Sequence, residues 1–382
     1  MPTDPKSSPI LWFLPIIFLT LTKNWINLLR SSIKGIGLDN LLVSIRNCRA
    51  PALFQRIESI LSGFWNTAFT SRSMSSVSLN QAHQFLRSHL STEPQELTMI
   101  GEGAWSRCFG YLVGDWEYAI RFGRYIEDFQ KDRWAARFSS AQLPIPEVFE
   151  VGEALDGYFV ISHRAHGIPL ENVAPEVWQG VIPDLVDVLE ALRTADLKET
   201  TGVGHWDKDG TADYSTWREH LLTVVEDKPT QRTHGWRRKL EQNSPSGKDA
   251  FQRGLDKLKN FALTDVPRSL LHCDLMNRNA LVDNGRINAV FDWGCGRLGD
   301  HLYDLTWFEF WAPWHTNLDV HLLRKALENH WIQVGYAPTN LQERLNACYL
   351  HIGLDHIAYN AHTGNWLVLK ETADRMCELV NM

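Results

Sequence analysis

The sequence lacks any unbroken apolar run of the roughly 20 residues that a membrane-spanning helix requires. Its strongest candidate, Pro9 to Leu21, is shorter and is interrupted by Pro15. No clear small-x-small cleavage site follows, so a secretory signal peptide is a poor fit. The six cysteines, at 48, 108, 273, 295, 348 and 377, form no CxxC pair. That spacing offers neither a zinc ribbon nor a disulfide framework and suggests reduced thiols in a cytoplasmic protein. An excess of basic residues is missing too: 38 Lys and Arg stand against 45 Asp and Glu, for a formal net charge of −7. A nucleic-acid-binding surface is therefore disfavoured as the main function, whereas a cationic small molecule would be electrostatically suited. Nothing in the chain implies a protein partner. The remaining composition, 44% hydrophobic and 22% charged over 382 residues, is that of a globular protein with room for two sizeable cores.

The chemistry concentrates between His272 and Asp292. His272-x-Asp274 is followed by Asn279, a short apolar and polar alternation, and Asp292. This order suits phosphoryl transfer from ATP, in which one carboxylate orients and accepts the acceptor proton while an amide and a second carboxylate hold Mg²⁺. Asp274 takes the first role, with His272 bracing the loop, and Asn279 and Asp292 take the metal. Residues 280–283 and 286–291 read as two strands around the turn Asp283-Asn284-Gly285, a hairpin that would bring Asn279 and Asp292 together. Cys273 lies in the same stretch as a conceivable nucleophile. With a carboxylate beside it and no second-site histidine pattern, a filler role is preferred.

The N-terminal part differs from the rest. Residues 9–29 are largely apolar and residues 23–72 carry Lys and Arg with few acids, so membrane contact through 9–29 is conceivable. Met74-Ser75-Ser76 also reads as a natural start for a soluble enzyme. A non-catalytic extension or a start codon set too early is favoured over an anchor, and both readings of 1–73 stay open. Ser78 is placed to cap a helix whose apolar face is Ala82, Phe85, Leu86 and Leu90. Strands at 97–100 and 108–113 flank Gly101-Glu102-Gly103-Ala104-Trp105-Ser106, a turn whose N–H groups can lie over a triphosphate. Another strand follows at 117–122. Leu143 to Pro146 ends a helix and starts an edge strand, and 158–162 form a buried strand. From Pro183 onward the period is helical, and residues 202–210 and 228–248 read as polar loops that can shape specificity.

These motifs resemble the aminoglycoside phosphotransferases and choline kinases, most nearly the branch acting on hygromycin B. The resemblance rests on His272 to Asp292, Gly101-Glu102, Ser106-Arg107, Tyr118 to Arg121, Lys131-Asp132-Arg133, Leu143 to Val148, Ile161 to Ala165, Tyr214 to Arg218, Phe310 to Trp314 and Ile352 to Asp355. It runs from about Gly101 to the C-terminus. It implies an α+β, protein-kinase-like two-lobe fold, with an N-lobe over 74–165 and a mainly helical C-lobe over 166–382. It implies ATP and Mg²⁺, with Gly101, Gly103 and Ser106 near the phosphates and Arg121 where a kinase places its phosphate-gripping lysine. Asp132 is the preferred partner of Arg121 over Glu127 and Asp128. Arg164 and Ala165 lie in the interlobe linker, whose backbone pairs with the adenine edge. The implied acceptor is small and cationic, an aminocyclitol such as hygromycin B. Trp311 and Trp314 would offer flat faces to it and Asp355 a carboxylate, although such an aromatic cluster is also a common core. Asp300 and Asp304 read as braces of the catalytic loop.

Two rivals remain at this level. The same scaffold can phosphorylate another amino alcohol or sugar, and a nucleotide-binding pseudokinase would act as an interaction module. The full set of Asp274, Asn279 and Asp292 argues against the second.

Overall fold

The structure, a computed structural model, describes residues 77–382. The extension, and with it the expected membrane contact through residues 9–29, lies outside the described residues. Among the described residues no helix is long and apolar enough to cross a membrane.

Ser78 opens helix α1 (Leu79–His89) with a capping box: its hydroxyl accepts from the Gln81 N–H, and the Gln81 side chain accepts from the Ser78 N–H. The helix buries Ala82 and Leu86 and sets Phe85 against Phe122 and Phe159. The sheet beneath it contains β1 (Gln95–Glu102), β2 (Ser106–Val113) and β3 (Trp116–Gly123); helix α2 (Ile126–Ala135) follows, then β4 (Val148–Ala154) and β5 (Gly157–His163). Its order is β1-β2-β3-β5-β4, antiparallel throughout. β4 is thus an edge strand, as the prolines before it suggest. Alternation along β2 sends Phe109 and Tyr111 into the core with Ile120, Phe122, Phe159 and Ile161, leaving Cys108 and Gly110 for the opposite face.

After the linker come β6 (Ile168–Pro169), α3 (Pro175–Thr194), the hairpin β7 (Val203–Trp206) and β8 (Ala212–Tyr214), and helices α4 (Trp217–Leu222), α5 (Trp236–Asn243) and α6 (Pro245–Lys259). Then follow β9 (Ser269–Leu271), β10 (Ala280–Asp283), β11 (Arg286–Val290), β12 (Arg297–Gly299), and helices α7 (Leu302–Trp311), α8 (Val320–Gln333), α9 (Leu341–Thr363) and α10 (Trp366–Leu379). Their apolar faces share a second, larger core.

Three local expectations are corrected. α3 starts at Pro175 and runs through Pro183. An interior proline costs about 3 kcal/mol, but Trp178, Val181, Ile182, Leu185, Val188, Leu189 and Leu192 are buried along that helix, at about 1.5–3 kcal/mol each, so burial wins. Residues 236–243 and 245–248 are helical instead of loop, because Trp236 and Leu240 are buried and Ser244 caps α6 with Pro245 behind it. Residues 202–210 contribute to a hairpin in which Gly202, at φ +71°, has no space for a Cβ beside the Ala212 carbonyl.

Candidate functional site

The hairpin expected from Asn284-Gly285 forms. Both turn residues have positive φ, +48° and +76°, which matches the twist of a tight hairpin, and β10 pairs with β11 from Asp283↔Arg286 to Ala280↔Val290. The Phe291 N–H extends the ladder by donating to the Asn279 carbonyl at 2.9 Å. Asn279 and Asp292 are therefore held at the open end of one ladder.

Asp274 is half-buried, and its carboxylate accepts from Asn277 Nδ2 at 2.6 Å and Asn279 Nδ2 at 3.0 Å. Burial pushes its pKa well above the usual carboxylate range, against the Asn277 hydrogen bond. The Asn279 nitrogen is thus spent on Asp274, and its Oδ1 is left as an acceptor. Asp292 lies in the left-handed region, at φ +65° and ψ +66°, with its side chain 41% exposed. Cys273, Asn277 and Arg278 also have positive φ, at +64°, +59° and +71°. Such conformations cost about 1–3 kcal/mol each, and the packed surroundings hold them.

That support is visible beneath the loop. His272 is fully buried; its Nε2–H donates to the Phe291 carbonyl at 3.0 Å and its Nδ1 accepts from the Asp274 N–H at 3.2 Å. These partners fix the tautomer, and burial lowers the imidazole pKa to about 4, so a neutral brace is what the ring offers. Asp304 accepts the His272 and Cys273 N–H groups at 3.0 and 2.7 Å. Asp300 meets Arg344 at 2.6 and 2.8 Å and caps the Leu302 N–H. Burial pushes the Cys273 thiol well above its usual pKa, so it is a filler and not a thiolate.

Across the cleft, Arg121 on β3 is hydrogen-bonded to Asp132 on α2 and reaches Asp292 at 3.2 Å. Burial opposes its charge, but Asp132 first and Asp292 second outweigh that and raise its pKa. Burial pushes Asp132 up to about 7 against the pull of Arg121 and of the Trp293 N–H, which donates at 2.8 Å. Arg121 Nε is buried without a hydrogen-bond partner. Gly103 closes the turn over the cleft by donating to the Ser106 carbonyl at 2.9 Å. Gly103, Ser106, Arg121 and Asp292 line one cavity, while Gly101 stands one step back, opposite Cys108.

The linker and the aromatic group are less uniform than the sequence suggests. The Arg164 N–H is already donated to the Glu117 carbonyl at 3.2 Å, and Ala165 is the linker residue that follows it. Trp307, Phe308 and Phe310 are buried. Trp311 is half-buried and Trp314 40% exposed, packed edge to face at 5.3 Å. Asp355 is half-buried on α9, among the electrostatic neighbours of Arg297 and Tyr303, and the residue after it, His356, packs on Trp311 at 4.7 Å.

Sequence reasoning missed Arg232. It reaches Asp128 at 2.8 Å and Glu127 at 3.1 Å, lies 3.7 Å above the Tyr125 ring and 5.9 Å from Trp105, and so ties residues after α4 to α2 and the glycine-rich turn. Those two acids hydrogen-bond Arg232, whereas Arg121 is paired with Asp132. Arg232 lies 104 residues from Asp128, and no local pattern signals such a contact. Lys131 stands out in the sequence only as part of a motif, yet its buried ammonium donates to the Gly294 carbonyl at 3.1 Å behind Asp292.

The model of the phosphotransferase enzyme family (APH) matches residues 126–338. The Hygromycin-B 4-O-kinase of Escherichia coli is 31% identical over 275 residues, which are 71% of this chain and 76% of that protein. A thermostable mutant of aminoglycoside phosphotransferase APH(4)-Ia, crystallised in ternary complex with AMP-PNP and hygromycin B, aligns with a TM-score of 0.67 and 30% identity over 79% of this chain and 98% of its own. A second such mutant, with ADP and hygromycin B, aligns equally well at 29% identity.

Proposed function

Because this chain belongs to the phosphotransferase enzyme family, we propose that it transfers the γ-phosphoryl group of ATP to a hydroxyl of hygromycin B or a closely similar aminocyclitol. The chain is an ATP-dependent small-molecule kinase; the acceptor's identity and the residue roles below are our reading. The observation that carries it is the joining of Asp274 to Asn279 by hydrogen bonds, with Asp292 returned beside Asn279 by the hairpin.

Asp274 orients the acceptor hydroxyl and takes its proton as the oxygen bonds to the γ-phosphorus and the bond to ADP breaks. Burial raises its pKa, which makes it a stronger proton acceptor than an exposed carboxylate. The donor set fits Mg²⁺: an amide oxygen at Asn279 and an exposed carboxylate at Asp292 are hard oxygen ligands, few in number, as expected where phosphates complete the shell. Bound Mg²⁺ would neutralise charge on the transferring phosphoryl group. Arg121 positions the phosphates and is itself positioned by Asp132. Trp311 and Trp314 supply apolar faces for the acceptor ring, and Asp355 is placed to favour its ammonium groups. His272 braces the loop. The free cysteines among the described residues agree with a cytoplasmic location.

The test is mass spectrometry of hygromycin B after incubation with the purified chain and Mg-ATP. A single added phosphoryl group is expected. An unmodified drug, with another amino alcohol or sugar phosphorylated in its place, would transfer the mechanism to that acceptor.

A further inference from the structure

The Arg164 side chain does not follow its linker into solvent. A Cβ built on Gly110 would lie 2.9 Å from Arg164 Cζ and Nη1 and 3.0 Å from Nε. All three are guanidinium atoms, so the flat group rests on the bare Cα of Gly110. Gly110 pairs with Ala119 and Ala119 with Ser162, and residues directly opposite share a face. Gly, Ala and Ser thus form a low strip across β2, β3 and β5, and Arg164 reaches back onto it.

This strip belongs to the cleft. Gly110 is two residues from Cys108, hence on the same face, and Cys108 is paired with Arg121. The charges around Cys108 are those of Arg121, Asp292 and Arg164, the first two being the phosphate and metal side of the site. Arg164 therefore stands at the other end of the same trough, next to Ala165 in the linker. Its Nη1, one of the atoms lying on Gly110, is also 3.4 Å from Glu117 Oε2, and the side chain is 24% exposed. Glu117 is in turn fixed by His166 Nε2 at 2.7 Å. One face of the guanidinium lies on Gly110, on the cleft side of the sheet.

We infer that the Arg164 guanidinium is the platform on which the nucleobase stacks, with Gly110 kept free of a side chain so that the platform lies flat. The inference rests on the nucleotide-dependent reading above and assigns the base to a side chain of the linker as well as to its backbone. A planar guanidinium stacks flat on a π-face, whereas a lysine ammonium offers only a point charge to it. A platform of this kind contacts any purine, so ATP and GTP are both accommodated by Arg164.

The experiment is titration of the full chain, in Mg²⁺, with ADP and with inorganic tripolyphosphate, which has the phosphates and no base. Arg164→Ala and Arg164→Lys are each expected to weaken ADP about tenfold and to leave tripolyphosphate affinity unchanged. Arg164→Lys keeps the charge and can keep the Glu117 tether, so its failure to restore ADP binding isolates the planar stack. Parallel loss of tripolyphosphate, full rescue by lysine, or unchanged ADP binding would each overturn the inference. A wild-type chain that binds tripolyphosphate but not ADP would also overturn it, whereas one that binds neither would overturn the nucleotide reading on which it rests.

Discussion

Asn279 donates from one amide nitrogen to both the backbone carbonyl of Asp274, at 2.8 Å, and its carboxylate, at 3.0 Å. One side chain thereby sets the direction of the proposed base and leaves its own oxygen for the proposed metal. Asn279→Ala is expected to impair both at once: a fall in kcat of about a hundredfold or more, accompanied by a higher Mg²⁺ requirement. A Mg²⁺ titration of turnover checks this. A variant with lowered kcat and an unshifted Mg²⁺ dependence would separate the two roles.

Asp292 and Asp132 both face Arg121, but in the proposed mechanism only Asp292 would touch the metal. Asp292→Ala is expected to reduce turnover to background. Asp132→Ala should retain measurable turnover with a raised KM for ATP, because Arg121 still has Asp292 at 3.2 Å. Steady-state kinetics at saturating Mg²⁺ decide it, and the reverse order of severity would contradict the assignment.

The pair Asp300 and Arg344 is fully buried, with side chains 0% and 2% exposed. Removing one partner strands a charge, so Asp300→Ala should lower unfolding stability by about 3–5 kcal/mol. Replacing both by apolar residues of similar volume should restore much of the loss. Urea unfolding of the single and double variants measures both effects.

Acid should destabilise the chain well before ordinary carboxylates titrate. Burial lowers the pKa of seven histidines, His205, His220, His272, His301, His315, His351 and His356. It raises four carboxyls, Asp132, Glu171, Asp274 and Asp304. As pH falls from about 6.5, the unfolded chain gains the histidine protons that the folded chain refuses, and stability drops. The raised carboxyls act oppositely, because the folded chain takes up protons that the unfolded chain does not yet bind, but they are fewer. Every tenfold by which folding weakens a histidine's hold on its proton removes about 1.4 kcal/mol of stability once the unfolded chain is protonated. Melting temperatures measured from pH 7 downward should therefore decline continuously; a plateau to pH 4.5 would contradict the balance.

The sequence was most legible where chemistry, turn and spacing coincide. Asn284-Gly285 announced the hairpin, and the hairpin placed Asn279 beside Asp292. Ser78 and the apolar face Ala82, Phe85, Leu86 and Leu90 marked the first helix, and residues 117–122 read as the strand that is β3. Less legible was whatever depends on burial by distant parts. Pro183 looked like a helix start because the cost of an interior proline is local, while the stripe that outweighs it is tertiary. Residues 236–248 looked polar because Trp236 and Leu240 are few among charges, yet both are buried. The aromatic cluster could not be divided into core and surface until Trp307 and Phe308 were seen inside and Trp314 outside. Arg232 gave no local sign at all, since its partners lie on α2.

The most direct measurement is ADP release by the purified chain with Mg-ATP, with and without hygromycin B, beside Asp274→Ala. Acceptor-dependent ADP release that disappears in the variant, while its ADP affinity stays at the wild-type value, is the predicted result. Equal turnover by the variant, or ADP release indifferent to every aminocyclitol and amino alcohol offered, would contradict the account.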